Sequence, residues 1–231
     1  RYADAAVTDM SGRFALPGLF DTHAHITLGP VMPEVKDGEV SLVVSGTDDI
    51  TRHDALMLLA AGVTTIRDPG GDTARMVAYR DAVTDGRITG PEARVAGAVI
   101  DRSPFPVTGL VDRVDDTRSV TDHVVAQTRA GVDFVKLYEA LTVEDLAAGI
   151  QAADAAGVGT IAHLSDVSWT QAANLGIDAL VHAMPISPDL LPADRRAAWI
   201  ETRRPGPYAF FEWYEQADLD SPEIADMLRT L

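Results

Sequence analysis

The repeating unit of the chain is clearest in residues 142–163, TVEDLAAGIQAADAAGVGTIAH. The first four residues have the spacing of a capping box, apolar residues then recur at helical intervals, and Gly157 stops the helix. A short apolar, β-branched run follows at 158–162 and leads directly into His163. This stretch predicts a helix and then a buried strand, with a histidine at the carboxyl end of the strand.

The same pattern recurs along most of the chain. Helices are expected to begin at Thr51, at Ser119, near Trp169 and at Ser221. Strands are expected at 15–22, 63–66, 94–100, 132–138, 158–162 and 177–181. Strands that alternate with helices predict an α/β fold with a parallel sheet, and six units in a row favour a (β/α)8 TIM barrel over a doubly wound sheet.

A closed barrel of this kind needs two more strands than the six that we find. We therefore expect an incomplete TIM barrel of about six βα units over residues 16–231, lacking strands seven and eight, in a truncated chain. The segment 6–14 has the pattern of a β-hairpin, while 28–50 and 203–207 are expected to be loops.

Composition narrows the classes of function. With 19 Lys plus Arg against 35 Asp plus Glu, the net charge of −16 disfavours a nucleic-acid partner, since such binding depends on basic side chains. The sequence contains no long apolar run and no basic leader, so we expect no membrane span and a cytoplasmic protein. Because the chain has no Cys, any metal must be held by His, carboxylate or a less usual ligand.

Nitrogen-bearing side chains end several of the predicted strands. Lys136, His163 and His182 each follow the glycine that stops the preceding helix by five or six residues. His23 and His25 follow the first strand, and their i, i+2 spacing puts both rings on one side of an extended chain. Because strand ends meet at one face of a βα barrel, these five residues are candidate metal ligands. His53 and His123, within helix starts, are expected to be solvent-facing.

Lys136 is unusual because it lies within an otherwise apolar strand, and the chain contains only one other lysine, Lys36. One interpretation is a side chain that extends to the surface. The other is an amine whose pKa is lowered by burial and neighbouring cations, so that it takes up CO2 as a carbamate able to bridge two metal ions.

Two stretches carry a family resemblance: LPGLFDTHAHI at 16–26 and GVTTIRD at 62–68. They resemble the first and second strands of the amidohydrolase superfamily, in particular its imidazolonepropionase-like and Xaa-Pro dipeptidase-like branch. The resemblance implies that residues 1–15 are a remnant of a small β-sandwich domain. It also implies a binuclear centre of two divalent metal ions, with zinc expected and manganese, iron or cobalt compatible with the same ligands.

By the same resemblance, His23, His25 and Lys136 ligate the more buried ion, and Lys136, His163 and His182 the more exposed one. A hydroxide that bridges the ions would then attack the substrate. The Asp that members carry on strand eight as proton acceptor has no counterpart in this chain, and Asp68 is expected to have a structural role.

The resemblance implies hydrolysis of a carbon–nitrogen bond in a small-molecule amide, lactam or dipeptide, as in prolidase-like members. Tyr138 shares a strand face with Lys136 and is a candidate donor to the substrate carbonyl. Substrate choice is assigned to loops, and Arg67 and Arg102 are candidates for binding a carboxylate. The resemblance is also compatible with a homo-oligomer. Two alternatives stay open: a mononuclear deaminase of the same superfamily, and a non-catalytic or inactive truncated protein.

Overall fold

The structure is a computed structural model that describes residues 4–36, 38–102, 107–202 and 207–231. Its strands are β1 (Leu19–Asp21), β2 (Val31–Lys36), β3 (Glu39–Val44), β4 (Val63–Asp68), β5 (Glu92–Val95), β6 (Val99–Asp101), β7 (Val107–Thr108), β8 (Val111–Arg113), β9 (Phe134–Leu137), β10 (Gly159–Ala162) and β11 (Ala179–Leu180). Its helices are α1 (Asp48–Ala60), α2 (Thr73–Thr84), α3 (Thr117–Ala130), α4 (Val143–Ala156), α5 (Trp169–Leu175), α6 (Ala193–Thr202), α7 (Pro207–Gln216) and α8 (Pro222–Thr230). The fold is mixed α/β with parallel sheets.

Apart from β8, which lies beside β6, the strands of the two parallel sheets follow one another in chain order. One parallel sheet has the order β1-β4-β5, and another runs β11-β10-β9-β6-β8. The two are joined where the amide of Asp133 donates to the carbonyl of Val95 at 2.8 Å. A doubly wound sheet would reverse its strand order near the middle, and the described strands show no such reversal. All six expected strands are present.

The third expected strand, at 94–100, is divided into β5 and β6 by two side chains. Gln127 Nε2 donates to the carbonyl of Ala98 at 2.7 Å, and Thr73 Oγ1 accepts from the amide of the same residue at 3.0 Å. These bonds replace the ladder bonds that a continuous strand would make, so the ladder is interrupted at 96–98.

Two helices begin earlier than the sequence predicted. Helix α1 is capped by Thr47 rather than Thr51, and α3 by Asp116 rather than Ser119. Ser119 is instead the third helical residue of a capping box whose cap is Asp116. In both cases two residues of a type that caps helices lie about one turn apart. The helix begins after the residue whose side chain accepts a hydrogen bond from a backbone N–H of the first turn.

Two loop and hairpin expectations were wrong. The 28–50 segment is not a loop throughout, because β2 and β3 pair antiparallel and β7 adds to β3. The hairpin expected at 6–14 does not form, and Val7 and Phe14 are almost fully exposed. The segment instead contains a turn in which the amide of Arg13 donates to the carbonyl of Met10. A two-stranded hairpin with no apolar surface to cover is only marginally stable. The loop expected at 203–207 lies, apart from Pro207, outside the described residues.

The core is built from helices packed on the parallel strands. Helices α3, α4 and α5 bury Val124, Leu146 and Ala172 against the outer side of β9 and β10. A separate hydrophobic cluster around Trp199 and Trp213 joins α6, α7 and α8 to the segment before α6. Within the described residues, no helix is long and apolar enough to cross a membrane.

Candidate metal centre

Side chains from the first and the last parallel strand meet at the carboxyl ends of the strands. His23 follows β1 and His182 follows β11, yet their ring centroids are 4.4 Å apart. In a flat sheet of this strand order, β1 and β11 would be separated by roughly 24 Å, five spacings of about 4.8 Å. The strand array is therefore strongly curved, with these two side chains inside the curve.

The other predicted ligands join them. His163 lies 4.6 Å from His182 and His25 lies 5.2 Å from His23, measured between ring centroids. Lys136 is close enough to lower the pKa of His23, His163 and His182. The structure thus brings together all five residues that the sequence singled out.

His182 is held in an uncommon backbone conformation. Its φ is 71° and that of Ala183 is 50°, in the left-handed region that residues other than glycine rarely adopt. The amide of Val181 still donates to the carbonyl of Ala162, so the chain leaves the ladder directly after this bond. Backbone conformations of this kind cluster at functional sites, where surrounding structure maintains them.

His25 is fixed by its backbone surroundings and by Asp68. Its Nδ1 lies 2.8 Å from the carbonyl oxygen of Gly70 and therefore carries the proton, which leaves Nε2 with a free lone pair. Burial lowers the pKa of His25, but hydrogen bonds to Asp68 and Gly70 outweigh burial and raise it overall.

Asp68 has the structural role expected of it. It is 1% exposed and accepts hydrogen bonds from the amides of Ile26 and Thr27 and from the Thr27 hydroxyl. Its other oxygen lies 3.6 Å from Nδ1 of His25. This carboxylate therefore holds the segment that carries His25 against the end of β4.

Lys136 is buried, and the charge of Arg67 acts on its amine. Its side chain points into the curve of the array and the residue is 2% exposed. Burial and then the charge of Arg67 lower the pKa of its amine to about 7. A pKa near 7 leaves a large share of the amine unprotonated and nucleophilic at neutral pH. The exposure of 2% excludes the interpretation of a side chain that extends to water.

His23 and His163 are held in the neutral form that metal binding requires. Burial and then the Lys136 charge lower the pKa of His23 to about 4, while burial, His182 and Lys136 lower that of His163 to about 3. The Nδ1 atom of His163 is buried and has no hydrogen-bond partner. Such an unpaired lone pair costs free energy unless something occupies the position beside it, so these residues fit a metal ion.

The five side chains are neighbours and not a closed coordination shell. Within the described ranges, no group of three or more His, Asp or Glu side chains has by itself the geometry to hold a metal ion. A neutral lysine is also a poor metal ligand, whereas a carbamate would add two oxygen atoms at the centre of the group.

Tyr138 and Glu139 flank His163. The Tyr138 ring is 4.9 Å from the His163 ring, and Lys136 Nζ is 5.9 Å from the centre of the Tyr138 ring. Burial raises the pKa of Tyr138 to about 12, so its hydroxyl remains a proton donor.

Sequence reasoning missed Glu139, whose Oε1 lies 3.2 Å from His163 Nε2. The signal available in the sequence was its position directly after the expected strand 132–138, which contains Lys136 and Tyr138.

The two arginines expected to bind a carboxylate are already engaged. Arg102 makes a two-point contact with the buried carboxylate of Asp145. Arg67 donates from Nε to the carbonyl of Thr22 at 2.8 Å and lies over the ring of Phe134.

An open cavity of about 590 Å³ lies beside His25. Its lining includes Asp49, His53 and Asp54 from the start of α1, together with Gly29 and Pro30. His53 is exposed, as expected, and it also borders this open cavity.

The sequence and the fold both have recognisable relatives. The profile of the amidohydrolase family matches residues 14–188, and no curated protein matches significantly. An amidohydrolase of known structure superposes with a TM-score of 0.66 at 18% identity, covering 100% of this chain and 67% of its own. A Xaa-Pro dipeptidase with methionine bound in its active site gives 0.58 at 18% identity, with coverage of 85% and 56%. The ochratoxinase of A. niger gives 0.56 at 17% identity, with coverage of 93% and 59%.

The chain thus spans roughly half to two thirds of the length of these structures, whose low identity supports a shared fold only. The family match covers most of the chain and includes all five clustered residues, which are His23, His25, Lys136, His163 and His182. The chain belongs to the amidohydrolase family.

Proposed function

We propose that the chain carries a binuclear metal centre that hydrolyses a carbon–nitrogen bond in a small amide, lactam or dipeptide. The observation that carries this proposal is the convergence of four histidines on one buried lysine at the carboxyl ends of parallel strands. The strand order and its curvature support the companion proposal that these strands are six of the eight in a (β/α)8 barrel.

In this proposal Lys136 becomes the bridging group. The unprotonated Nζ bonds to the carbon of CO2 and loses one proton to water, which gives a carbamate with a single negative charge. The pKa of about 7 makes the required unprotonated amine available at neutral pH. Burial among Arg67 and several imidazoles favours an anion at this position.

The histidines would divide between two ions. His23 and His25, held by the Asp68 network, would bind the ion nearer to β1, while His163 and His182 would bind the other. Two divalent ions, of which zinc is the expected one, supply Lewis acidity that activates water and polarises a carbonyl.

Other residues of the chain would act on the substrate. Tyr138, which keeps its proton and lies against His163, would donate to the carbonyl oxygen of the substrate. The cavity beside His25 offers space for the rest of the substrate. Asp49 and Asp54 in its lining disfavour a negatively charged group there.

The test is metal content, measured by elemental analysis of the reconstituted protein in bicarbonate buffer. We expect about two metal ions per chain, falling sharply in Lys136→Ala and unchanged in Lys36→Ala, which removes the other lysine. A carbon-13 carbamate signal that appears from labelled bicarbonate and disappears in Lys136→Ala would identify the bridging group. A wild-type protein that binds no metal under these conditions would refute the proposal.

If the metal is bound, a panel of dipeptides, N-acyl amino acids and lactams should be assayed for release of the free amine. Turnover that depends on added metal and is lost in Lys136→Ala is the expected result.

A further inference from the structure

A second open cavity, of about 400 Å³, lies at the amino ends of the strands, opposite to the ends where the histidines meet. Its lining includes Phe134, Gly159 and Ala179, which are the first residues of β9, β10 and β11. Arg67 and Arg94, from β4 and β5, form its charged wall together with two aspartates. The inside of a complete βα barrel is a core filled by side chains, so charged groups around an open space here need partners.

Arg67 has donors that no other group uses. Its Nε donates to the carbonyl of Thr22 at 2.8 Å, and its guanidinium carbon lies 5.9 Å from the centre of the Phe134 ring. Neither contact occupies its two terminal amino groups, and among the residues that the structure describes no carboxylate pairs with them. Burial lowers the pKa of Arg67, whereas the hydrogen bond from Arg102 to Asp145 raises the pKa of Arg102. Arg67 is thus a half-buried cation without an acidic partner in the described chain.

The two carboxylates on the cavity wall are bound by other groups. Asp133 accepts from Arg80 at 3.1 Å and from Arg94 at 3.2 Å. Asp178 accepts from the amide of Thr160 at 2.7 Å and from its hydroxyl at 3.2 Å. The acidic groups that line this space therefore leave the remaining arginine of the wall unpaired, and the space beside it favours a negative charge.

We propose that this cavity is a carboxylate-binding site in which the terminal amino groups of Arg67 hold the two carboxylate oxygens. A guanidinium presents parallel N–H groups that match a carboxylate in a two-point contact. The ring of Phe134 lies against the guanidinium, which limits its orientation. Arg94, whose side chain is 73% exposed, adds a second positive charge at the rim. The volume of about 400 Å³ leaves room for the carbon skeleton that carries the carboxylate.

The carboxylate has two possible sources, a small organic acid and the acidic side chain of another polypeptide segment. Succinate represents the first, and the blocked tripeptide acetyl-Val-Glu-Val-amide represents the second. Succinamide and the same tripeptide with Gln in place of Glu are the uncharged controls. Binding is measured by isothermal titration calorimetry on the metal-free protein at low ionic strength, so the result does not depend on the proposed metal chemistry.

We expect at least one of the two acids to bind wild type about tenfold or more tightly than its amide. Its affinity should fall to that of the amide in Arg67→Met, and by about threefold or more in Arg67→Lys, which keeps the charge and loses the two-point contact. The acid that binds identifies the source. Arg87→Met, at an exposed arginine paired with Asp85, and Lys136→Met, at the histidine cluster, should stay within about threefold of wild type.

Three results would overturn the proposal. The first is a wild-type protein that binds neither acid more tightly than the matching amide. The second is an Arg67→Met protein that binds as tightly as wild type; if that variant does not fold, an unchanged affinity in Arg67→Lys has the same meaning. The third is binding that is lost in Lys136→Met and retained in the Arg67 variants, which would assign the carboxylate to the histidine cluster instead.

Discussion

His23 and His182 lie at opposite ends of the described strand order, and their imidazole centroids are 4.4 Å apart. The approach depends on the backbone after β11, where His182 has a φ of 71°. An extended residue at this position would continue along the strand. The left-handed conformation turns the chain instead, so that backbone geometry contributes to the position of this ligand.

Substitution of His182 should separate its role as a ligand from its role in the backbone. Asparagine tolerates the left-handed region, so we expect His182→Asn to lose about one metal ion per chain with the unfolding free energy changed by less than about 0.5 kcal/mol. His182→Val should lose the same ion and also about 1–2 kcal/mol of stability, because a β-branched residue is disfavoured at this φ. Elemental analysis and urea unfolding of the metal-free proteins give the two quantities. Equal stability of the two variants would show that the backbone is not constrained here.

Lys136 should reduce the stability of the metal-free chain. A nearly fully buried amine whose charge is disfavoured by burial and by Arg67 opposes folding, whereas methionine has a similar volume and no charge. We expect Lys136→Met to raise the unfolding free energy at pH 7 by about 1–3 kcal/mol while it abolishes metal binding.

Urea unfolding without metal measures this gain, and Lys36→Met is the control. A Lys136→Met protein less stable than wild type would mean that the lysine holds the fold together. It would also remove the argument that this residue is retained for chemistry.

Lys136, His163 and His182 could be predicted because short-range features set their positions. Gly131, Gly157 and Gly176 end α3, α4 and α5 with φ values of 92°, 69° and 93°, and each is followed by a short buried strand. The spacing of five or six residues from each glycine then places these side chains at the same end of neighbouring strands. Pattern reasoning succeeds where local geometry determines the position.

The features that were missed depend on residues distant in sequence. The interruption between β5 and β6 comes from Gln127, about thirty residues further along the chain, whose amide takes the carbonyl of Ala98. The β2–β3 pair was hidden because Pro33 and several charged residues resemble a loop. The approach of Glu139 to His163 becomes visible only when β10 brings the two residues together.

Asp68 should position His25 as well as stabilise the fold. Asp68→Asn replaces one carboxylate oxygen, an acceptor, with an NH2 group, a donor. That donor would face the N–H or O–H donors of Ile26, Thr27 or Gly70. We expect a loss of about 1–3 kcal/mol in unfolding free energy and roughly tenfold weaker metal binding at the site that contains His25. Thr27→Val removes only the hydroxyl donor and should cost about 1 kcal/mol with little effect on metal. Comparable metal affinity in both variants would contradict a positioning role for Asp68.

The contact between Arg102 and Asp145 should stabilise the fold in a pH-dependent way. Asp145 is fully buried and accepts from Arg102, from the Thr117 hydroxyl and from the amide of Thr142. Burial alone would raise the pKa of Asp145, but these hydrogen bonds hold it well below its ordinary value of 3.8. Because the pKa is lower in the folded chain, the stabilisation is complete above that ordinary value and is lost as the pH falls toward the folded-state pKa.

We therefore expect Asp145→Asn to lower the unfolding free energy at pH 7 by about 2–3 kcal/mol, less than for a fully buried pair because Arg102 is partly exposed. The difference from wild type should stay constant down to about pH 4 and shrink below it. Asp154→Asn, at an exposed position of the same helix, should change stability by less than about 0.5 kcal/mol at every pH. Urea unfolding between about pH 3 and pH 7 measures all three proteins. A difference that grows as the pH falls would reverse the sign of the linkage and contradict a lowered pKa for Asp145.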